Sequence, residues 1–263
     1  MKSRLLVSGH RGARAVLPEN TIPGFIHAIE AGADAIELDV VATADDVLAV
    51  CHDLVLRRSR CLGPPGRRTV RRLQWSELAR FDCGSLVNPR FPRQKPVPGA
   101  GIPSLDDVLR LAGLGDFLFQ IEVKTIPRMP GSGPPPDRFA ELLLERIRAH
   151  GLEARVIVQS FDFRVLRALR RLAPGIALAA LDQFGLRSFR MIARRSGAGI
   201  VAPFRRLATR RKVRLAQAAG IQVIPWTSNT PRDWNRLIRA GVDGIITDDP
   251  GGLIAHLRAT GLR

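Results

Sequence analysis

Residues Ser8 to Asp53 read SGHRGARAVLPENTIPGFIHAIEAGADAIELDVVATADDVLAVCHD, and this stretch decides the fold. Its centre is Ala35-Ile36-Glu37-Leu38-Asp39-Val40. Side chains alternate faces along a strand, so Glu37 and Asp39 share one face while Ile36, Leu38 and Val40 share the other. The apolar face calls for a covering layer, and the acidic face calls for something positive between its carboxylates. A hard divalent cation is the natural candidate. Upstream, Leu5-Leu6-Val7-Ser8 reads as a buried strand ending at Gly9-His10. Between the two strands Ile22, Phe25, Ile26 and Ile29 recur at helical spacing, with Asn20 the expected N-cap and Gly32 the stop. Such a β–α–β opening predicts a right-handed parallel crossover.

The same alternation returns downstream. Strands are expected at Phe117 to Lys124, Val156 to Val158, Ile176 to Leu181, Gly199 to Ala202, Ile221 to Trp226 and Gly244 to Thr247. Helical stretches lie between them: Ser104 caps one, Phe139 to Ile147 forms another after a Gly/Pro loop from Pro127 to Pro136, and a last one runs from about Gly252 to Leu257. Eight β-then-α units in 263 residues read as an α/β fold, a TIM barrel forming one domain over residues 1–263. An open doubly wound sheet is the alternative. The nucleotide-binding form of that sheet is disfavoured because no Gly-x-Gly-x-x-Gly turn follows the first strand. From 54 to 100 the pattern breaks into Gly63-Pro64-Pro65-Gly66, scattered prolines and many arginines, and only Leu73 to Phe81 looks helical. This is an insertion between barrel units that folds partly by itself.

Composition narrows the partners. Lys+Arg number 41 against 24 Asp+Glu, a formal charge of +17, and only Lys2, Lys95, Lys124 and Lys212 are lysines. Such a field favours anions, including phosphate esters and anionic membrane surfaces, to which weak association is expected. The arginines are dispersed, without the aromatic interleaving that grips single strands, so nucleic acid is not expected. Cys51, Cys61 and Cys83 are odd in number and lack Cys-x-x-Cys spacing, so neither a disulfide framework nor a zinc site is expected. Met1 to Ser8 is too short for a signal-peptide core and no apolar run reaches spanning length, which makes the expected location cytoplasmic. The oligomeric state is not legible.

In a barrel of this kind the chemistry sits at the C-terminal ends of the strands, where His10, Glu37, Asp39, Glu122, Lys124, Ser160 and Trp226 fall. Glu122 and Lys124 repeat the i, i+2 arrangement, offering a carboxylate and a cation to one face. Glu37, Asp39 and Glu122 supply enough oxygen for Ca2+ or Mg2+. A lone Glu-x-Asp is ordinarily a solvated strand face; the joint pattern with His10 and His52 points to acid–base chemistry beside a metal. Arg11 and Lys124 would neutralise a phosphate, and Trp226 would either pack the rim or stack on substrate. Asp53 is placed to orient His52, while Asp248 and Asp249 are read as caps of the last helix. Ser160 is the weakest candidate, for it lacks a Gly-x-Ser-x-Gly elbow. Cys51 should point away from His52.

The chain resembles the glycerophosphodiester phosphodiesterase family in His10-Arg11-Gly12, Pro18-Glu19-Asn20-Thr21, Glu37-Leu38-Asp39-Val40, His52-Asp53, Ile121-Glu122-Val123-Lys124, Gln159-Ser160-Phe161, Pro225-Trp226-Thr227 and Gly241 to Asp248. The order of these pieces spans nearly the whole sequence. Where relatives often carry an Arg-Thr-Thr-like run, this chain has Arg57-Arg58-Ser59-Arg60. The resemblance implies a metal-dependent phosphodiesterase that releases glycerol 3-phosphate and an alcohol, with His10 and His52 as acid and base. It also implies that a neighbouring hydroxyl of the glycerol attacks first, and that the insertion caps the mouth of the site. Two other readings stand beside it: a phospholipase D-like hydrolase of lysophospholipids, and a catalytically silent barrel that binds anions.

Overall fold

The structure, a computed structural model, describes residues 4–66, 68–125 and 133–263, so the first part of the expected Pro127 to Pro136 loop lies outside the described residues. Its strands are β1 (Leu6–Gly9), β2 (Ala35–Ala42), β3 (Leu48–Val50), β4 (Leu118–Val123), β5 (Val156–Ser160), β6 (Ala177–Asp182), β7 (Ile200–Pro203), β8 (Gln222–Val223) and β9 (Gly244–Thr247). All but β3 pair in parallel, in the order β8-β7-β6-β5-β4-β2-β1-β9. Backbone bonds from Asp243 N to Val223 O and from Ile246 N to Pro225 O, each 3.0 Å, close the ring between the two ends of that order. The fold is a TIM barrel. The strand expected at Ile221 to Trp226 is only Gln222–Val223, because Pro225 has no N–H to donate to a ladder.

The helices are α1 (Ile22–Glu30), α2 (Trp75–Leu78), α3 (Leu105–Leu109), α4 (Pro136–Ala149), α5 (Phe163–Leu172), α6 (Phe189–Ser196), α7 (Arg210–Gln217), α8 (Pro231–Ala240) and α9 (Pro250–Ala259). Those that follow the parallel strands cover the barrel's outer face, where Ile36, Leu38 and Val40 of β2 join Phe25 and Ala28 of α1 in one large buried core. Full burial of such side chains is worth roughly 1.5–3 kcal/mol each. Inside the ring a smaller cluster of Ile157, Ala179, Ile200, Ile224 and Ile246 fills the barrel.

Two local expectations are corrected. Thr21, not Asn20, caps α1: its Oγ1 accepts from Gly24 N at 3.3 Å. Asn20 has φ 56 and turns its amide to Asp39 instead. At the other end of the chain only Asp249 caps α9, accepting from Gly252 N at 2.9 Å. Ser104 and Asp107 cap α3 reciprocally, as Ser104 was expected to.

β3 runs antiparallel to β2, with Val40 opposite Val50, and so returns the chain toward the level of Asp39 before the irregular segment begins. That segment pairs Val55 with Thr69, Leu62 with Asp82, and Asp82 with Gly101. Its Leu56, Val70, Leu73, Leu78 and Phe81 form a separate small core with Val41, Ala49 and Cys51. Cys61 and Cys83 are disulfide-bonded, contrary to the reading from number and spacing. They form the next rung of the antiparallel pairing that sets Leu62 opposite Asp82, a register no Cys-x-x-Cys rule can detect. Among the described residues no helix is long and apolar enough to cross a membrane.

Candidate active site

The turn after β1 is built to overhang β2. Arg11 and Gly12 both have positive φ, 52 and 85, and a Cβ on residue 12 would meet the Gly24 backbone at 2.7 Å. Glycine is therefore required there for both conformation and space. The turn aims the Arg11 N–H at Glu37 Oε2, 2.9 Å away, and the Gly12 N–H at the Glu37 carbonyl, 3.2 Å away.

Glu37 and Asp39 sit on the inward side of β2, and the β2–β4 register sets Asp39 beside Glu122. One oxygen of each of the three carboxylates lies within 4.8 Å of the others, and all three residues are buried. An interior chain of amides locks the deepest of them: Ser8 Oγ donates to Gln120, Gln120 to Gln159, and Gln159 Nε2 to Glu37 Oε1 at 2.9 Å. Burial, then the charges of Asp39 and Glu122, push the Glu37 carboxyl well above its usual range. Burial also raises Glu122, against the pull of Lys124. Burial works in the same direction on Asp39, but Lys124 and Arg11 overcome it and hold that carboxyl well below the usual range. Lys124 is ion-paired to Glu122 and stands 3.0 Å from Asp39 Oδ1; Arg11 Nε stands 3.1 Å from Asp39 Oδ2. Lys124 also donates a hydrogen bond to Glu122, whereas the two contacts to Asp39 are charge pairings without hydrogen-bond alignment, since Asp39 Oδ1 and Arg11 Nε make no hydrogen bond. Three buried carboxylates, two of them reluctant to ionise and one with an unbonded oxygen, fit a divalent cation of the hard, oxygen-seeking kind.

Each histidine is held by its own carboxylate. His10 Nδ1 lies 2.6 Å from Asp248 Oδ1, and Asp248 also accepts from Arg14 Nε at 2.7 Å and Asn229 Nδ2 at 2.6 Å. Burial takes the His10 pKa down to about 4 despite Asp248. Asp248 stays ionised far below the usual range because His10 and Arg14 outweigh its burial. His52 follows β3, and its Nδ1 lies 2.8 Å from Asp53 Oδ1. In both cases the engaged Nδ1 leaves Nε2 as the ring nitrogen available for chemistry. The histidines line one cavity of about 270 Å3 together with Arg11, Glu37, Glu122 and Lys124.

The remaining expectations divide. Trp226 lines that cavity, donates from Nε1 to Ala202 O at 2.8 Å, and meets Phe161 and Phe204 edge-on at 5.7 Å. It is a packed rim and a cavity wall together. Ser160 Oγ is buried and donates to Val123 O at 2.9 Å, which removes it as a nucleophile. Cys51 is buried and lies outside the carboxylate cluster, its thiol pushed up by burial. Asp248 was misread as a cap. It follows β9 as His10 follows β1, and the pairing of these two strands on closure of the ring brings them together. Arg14, Arg60 and Gln159 carry no site role in the sequence reading, although Gln159 stands in the Gln159-Ser160-Phe161 motif; Arg14 and Gln159 line the cavity themselves, while Arg60 acts through Glu19 and Asp53.

Residues 10–252 match the family model described as the glycerophosphoryl diester phosphodiesterase family. A protein of Caldanaerobacter subterraneus subsp. tengcongensis named glycerophosphodiester phosphodiesterase is 37% identical over 259 residues, covering 98% of this chain and 100% of the relative. One of that name from Bacillus altitudinis is 33% identical over 248 residues, covering 93% and 94%. The crystal structure of a putative glycerophosphoryl diester phosphodiesterase from Silicibacter pomeroyi superposes with a TM-score of 0.92 at 32% identity, over 99% of this chain and 95% of that one. A phosphodiesterase of Oleispira antarctica, solved with its product sn-glycerol-3-phosphate, shares the fold with a TM-score of 0.82 at 19% identity, over 97% of each chain.

Proposed function

The chain belongs to the glycerophosphoryl diester phosphodiesterase family, and from that premise we propose that it hydrolyses glycerophosphodiesters to glycerol 3-phosphate and an alcohol with a divalent cation and two histidines. The observation that carries this reading is the convergence on one cavity of two carboxylate-held histidines and the buried carboxylate cluster. Glu37, Asp39 and Glu122 would hold the cation, Ca2+ or Mg2+, which when bound supplies electrostatic stabilisation of phosphoryl oxygen.

The protein's own groups do the rest. Arg11 and Lys124 line the cavity and would bind the phosphate's oxygens, Arg11 with a fork suited to two of them. Trp226 and Phe161 wall the glycerol side. One of His10 and His52 takes the proton of the attacking glycerol hydroxyl and the other gives one to the departing alcohol oxygen, leaving a cyclic phosphate; water then opens this ring to glycerol 3-phosphate, with the same two histidines taking its proton and returning one to the ring oxygen that leaves phosphorus. Asp248 and Asp53 fix the ring orientations that make this possible. The insertion at 54–100 caps the mouth; Arg60 supports this placement, since it reaches from the insertion to Glu19 at 2.9 Å and Asp53 at 3.7 Å. A small phosphodiester is the partner on this reading, with weak association to anionic membranes through the basic surface and no role for nucleic acid. A cytoplasmic location has the Cys61–Cys83 bond against it, because such bonds persist chiefly in oxidising compartments.

The test is His10→Ala and His52→Ala assayed on glycerophosphocholine and glycerophosphoethanolamine. Positioned proton transfer is worth roughly 10²–10⁴, so each variant should lose that much in kcat while remaining folded. Near-native turnover by either folded variant removes that histidine from the chemistry. Anion binding with a steep salt dependence and no turnover by the parent protein would support the silent barrel instead.

A further inference from the structure

We propose that the space between the insertion and the loop after β1 is a subsite for an anionic group on the departing alcohol, so that the preferred diesters are those whose alcohol bears a second phosphate or a carboxylate; this rests on the phosphodiesterase reading above. The run Arg57-Arg58-Ser59-Arg60 builds one wall. Arg60 N and Cys61 N both donate to Arg57 O at 3.0 Å, so the run is a turn that brings Arg57 and Arg60 together. Arg57, Ser59 and Arg60 line a cavity of about 430 Å3 with Arg90, Asn88 and Glu19; two prolines, Leu86, Gln94 and the Cys83 half of the disulfide complete the wall. Three guanidinium groups thus face one carboxylate, and Arg11 and Arg14 already pair with that carboxylate. Asp53, outside the cavity, stands 3.2 Å from Arg57 and 3.7 Å from Arg60. Among the described residues the Arg90 guanidinium has no carboxylate partner.

The subsite adjoins the phosphate end of the catalytic cavity. Glu19 Oε1 accepts from Arg11 Nη1 and from Arg60 Nη1, both at 2.9 Å, so a single oxygen separates the guanidinium meant for the reacting phosphate from one that faces the outer cavity. A cleft of about 50 Å3 lies between the two spaces, sharing His52 with the inner one and Glu19, Arg57 and Arg60 with the outer one. Trp226 and Phe161 wall the glycerol side on the arc of the ring away from β2, so a departing alcohol points past His52 toward this cleft. The walls are fixed against each other. Gln94 Nε2 donates to Arg14 O at 2.7 Å and Leu17 O at 3.1 Å, and its Oε1 accepts from Asn88 N at 2.6 Å. Cys61–Cys83 ties the arginine turn to the segment that leads to Arg90. The arginines are therefore set in place before an anion arrives, with forked donors that suit phosphate and carboxylate alike. A cationic alcohol would meet the same groups as a repulsion.

The test compares glycerophosphodiesters of four alcohols: propanol, 3-phosphopropanol, 3-hydroxypropionate and choline. The metal-loaded protein is titrated calorimetrically with their non-hydrolysable analogues, in which a methylene replaces the oxygen bridging phosphorus and alcohol, and kinetics are run on the diesters themselves. The inference expects Kd to be about tenfold lower for the terminal phosphate or carboxylate than for propanol, and higher for choline, with kcat/KM in the same order. The stronger of the two anionic groups identifies the class of alcohol. The ratio of anionic to neutral should fall to about one in Arg57→Gln/Arg90→Gln, checked for folding by a thermal melt. It should persist in Arg211→Gln, which removes one exposed charge from α7. Equal Kd values across the series overturn the inference whatever the turnover. So does a preference that survives in the folded double variant, or one that Arg211→Gln lowers as much, since overall charge would then account for it. A preference in Kd with no turnover of any diester leaves the subsite standing and overturns the phosphodiesterase reading.

Discussion

Asp248 Oδ1 lies 2.6 Å from His10 Nδ1 although 238 residues separate them. Closure of the ring is what joins them, for β9 pairs with β1 and Gly9 sits opposite Thr247. The pair exists only when the first and last strands are in register, which couples completion of the fold to the chemistry. Asp248→Asn keeps the shape but lets the amide favour the wrong imidazole tautomer. We expect kcat to fall by about 10²–10⁴ with a small change in KM, by analogy with the loss seen when an orienting aspartate is made asparagine elsewhere. Steady-state kinetics with a thermal melt on the same sample check this. A near-native kcat would reduce Asp248 to a packing role.

The carboxylate cluster has consequences for both metal and pH. Glu37 and Glu122 are raised by burial, so their folded pKa values exceed the unfolded ones. Their contribution to stability is complete below the ordinary carboxylate range and is lost as pH rises through the folded values. Binding a cation displaces those protons. The stabilisation gained on adding Ca2+ or Mg2+, read as a rise in Tm, should therefore grow as pH rises above the ordinary carboxylate range, toward about 2.7 kcal/mol at a hundredfold excess over Kd. Glu122→Gln should cut both this gain and the activity. Full turnover after exhaustive EDTA dialysis would end the metal reading.

The barrel was legible because each unit carries its own signal: alternation in Glu37-Leu38-Asp39, helical spacing in Ile22, Phe25, Ile26 and Ile29. Glu37, Asp39 and Glu122 were legible for the same reason, since a period of two places acidic residues on one face. Contacts that depend on ring closure or on irregular backbone were not. Asp248 and Asp249 look alike in sequence, yet one caps α9 and the other holds His10. Asn20 and Thr21 are both good caps, and only the positive φ of Asn20 separates their roles. The cysteine pairing required a register inside an insertion that has no regular strands to announce it.

Arg60 ties the two halves of the site together. It reaches Glu19, which pairs with Arg11 and Arg14, and also Asp53, which holds His52. Its side chain is 31% exposed, so each pairing is individually modest. Arg60→Met should lower kcat about three- to tenfold through misplacement of His52, and Arg60→Lys should recover part of that, since the charge returns without the fork. Equal activity of all three proteins would show that the link has no effect on catalysis.

The insertion is held by Asp82 and by the disulfide. Asp82 accepts from Gly84 N, Ser85 N, Ser85 Oγ and Gly99 N, which bring its pKa down to about 2 against the effect of its burial. A depressed carboxylate stabilises the fold above its unfolded value of about 4. That stability is lost as pH falls through about 2. Asp82→Ala should lower Tm at neutral pH and flatten this acid-side loss. Reduction of Cys61–Cys83, which spans 22 residues, should cost about 3 kcal/mol by loop entropy. Melts with and without reductant, from pH 2 to 7, test both; identical curves would mean that the insertion contributes nothing to global stability.

Cleavage should require a hydroxyl next to the esterified carbon of the substrate. Ser160 is committed to Val123 O, which leaves Thr227 as the serine, threonine or cysteine among the described residues lining the catalytic cavity. Thr227 Oγ1 is 3.5 Å from His10 Nδ1, the nitrogen already engaged by Asp248, so it has no free base beside it. Covalent catalysis by a protein hydroxyl is thus disfavoured. An internal alcohol replaces a bimolecular attack with an intramolecular one, for which effective molarities reach about 10⁵–10⁸ M. Glycerophosphocholine should turn over and pass through a cyclic phosphate visible early by phosphorus NMR. The analogue with hydrogen in place of the 2-hydroxyl should bind, competing with the parent substrate, and should not be cleaved. Thr227→Ala should retain activity. If the deoxy analogue is hydrolysed at a comparable rate, water attacks directly, and one of the two histidines must then serve as its base.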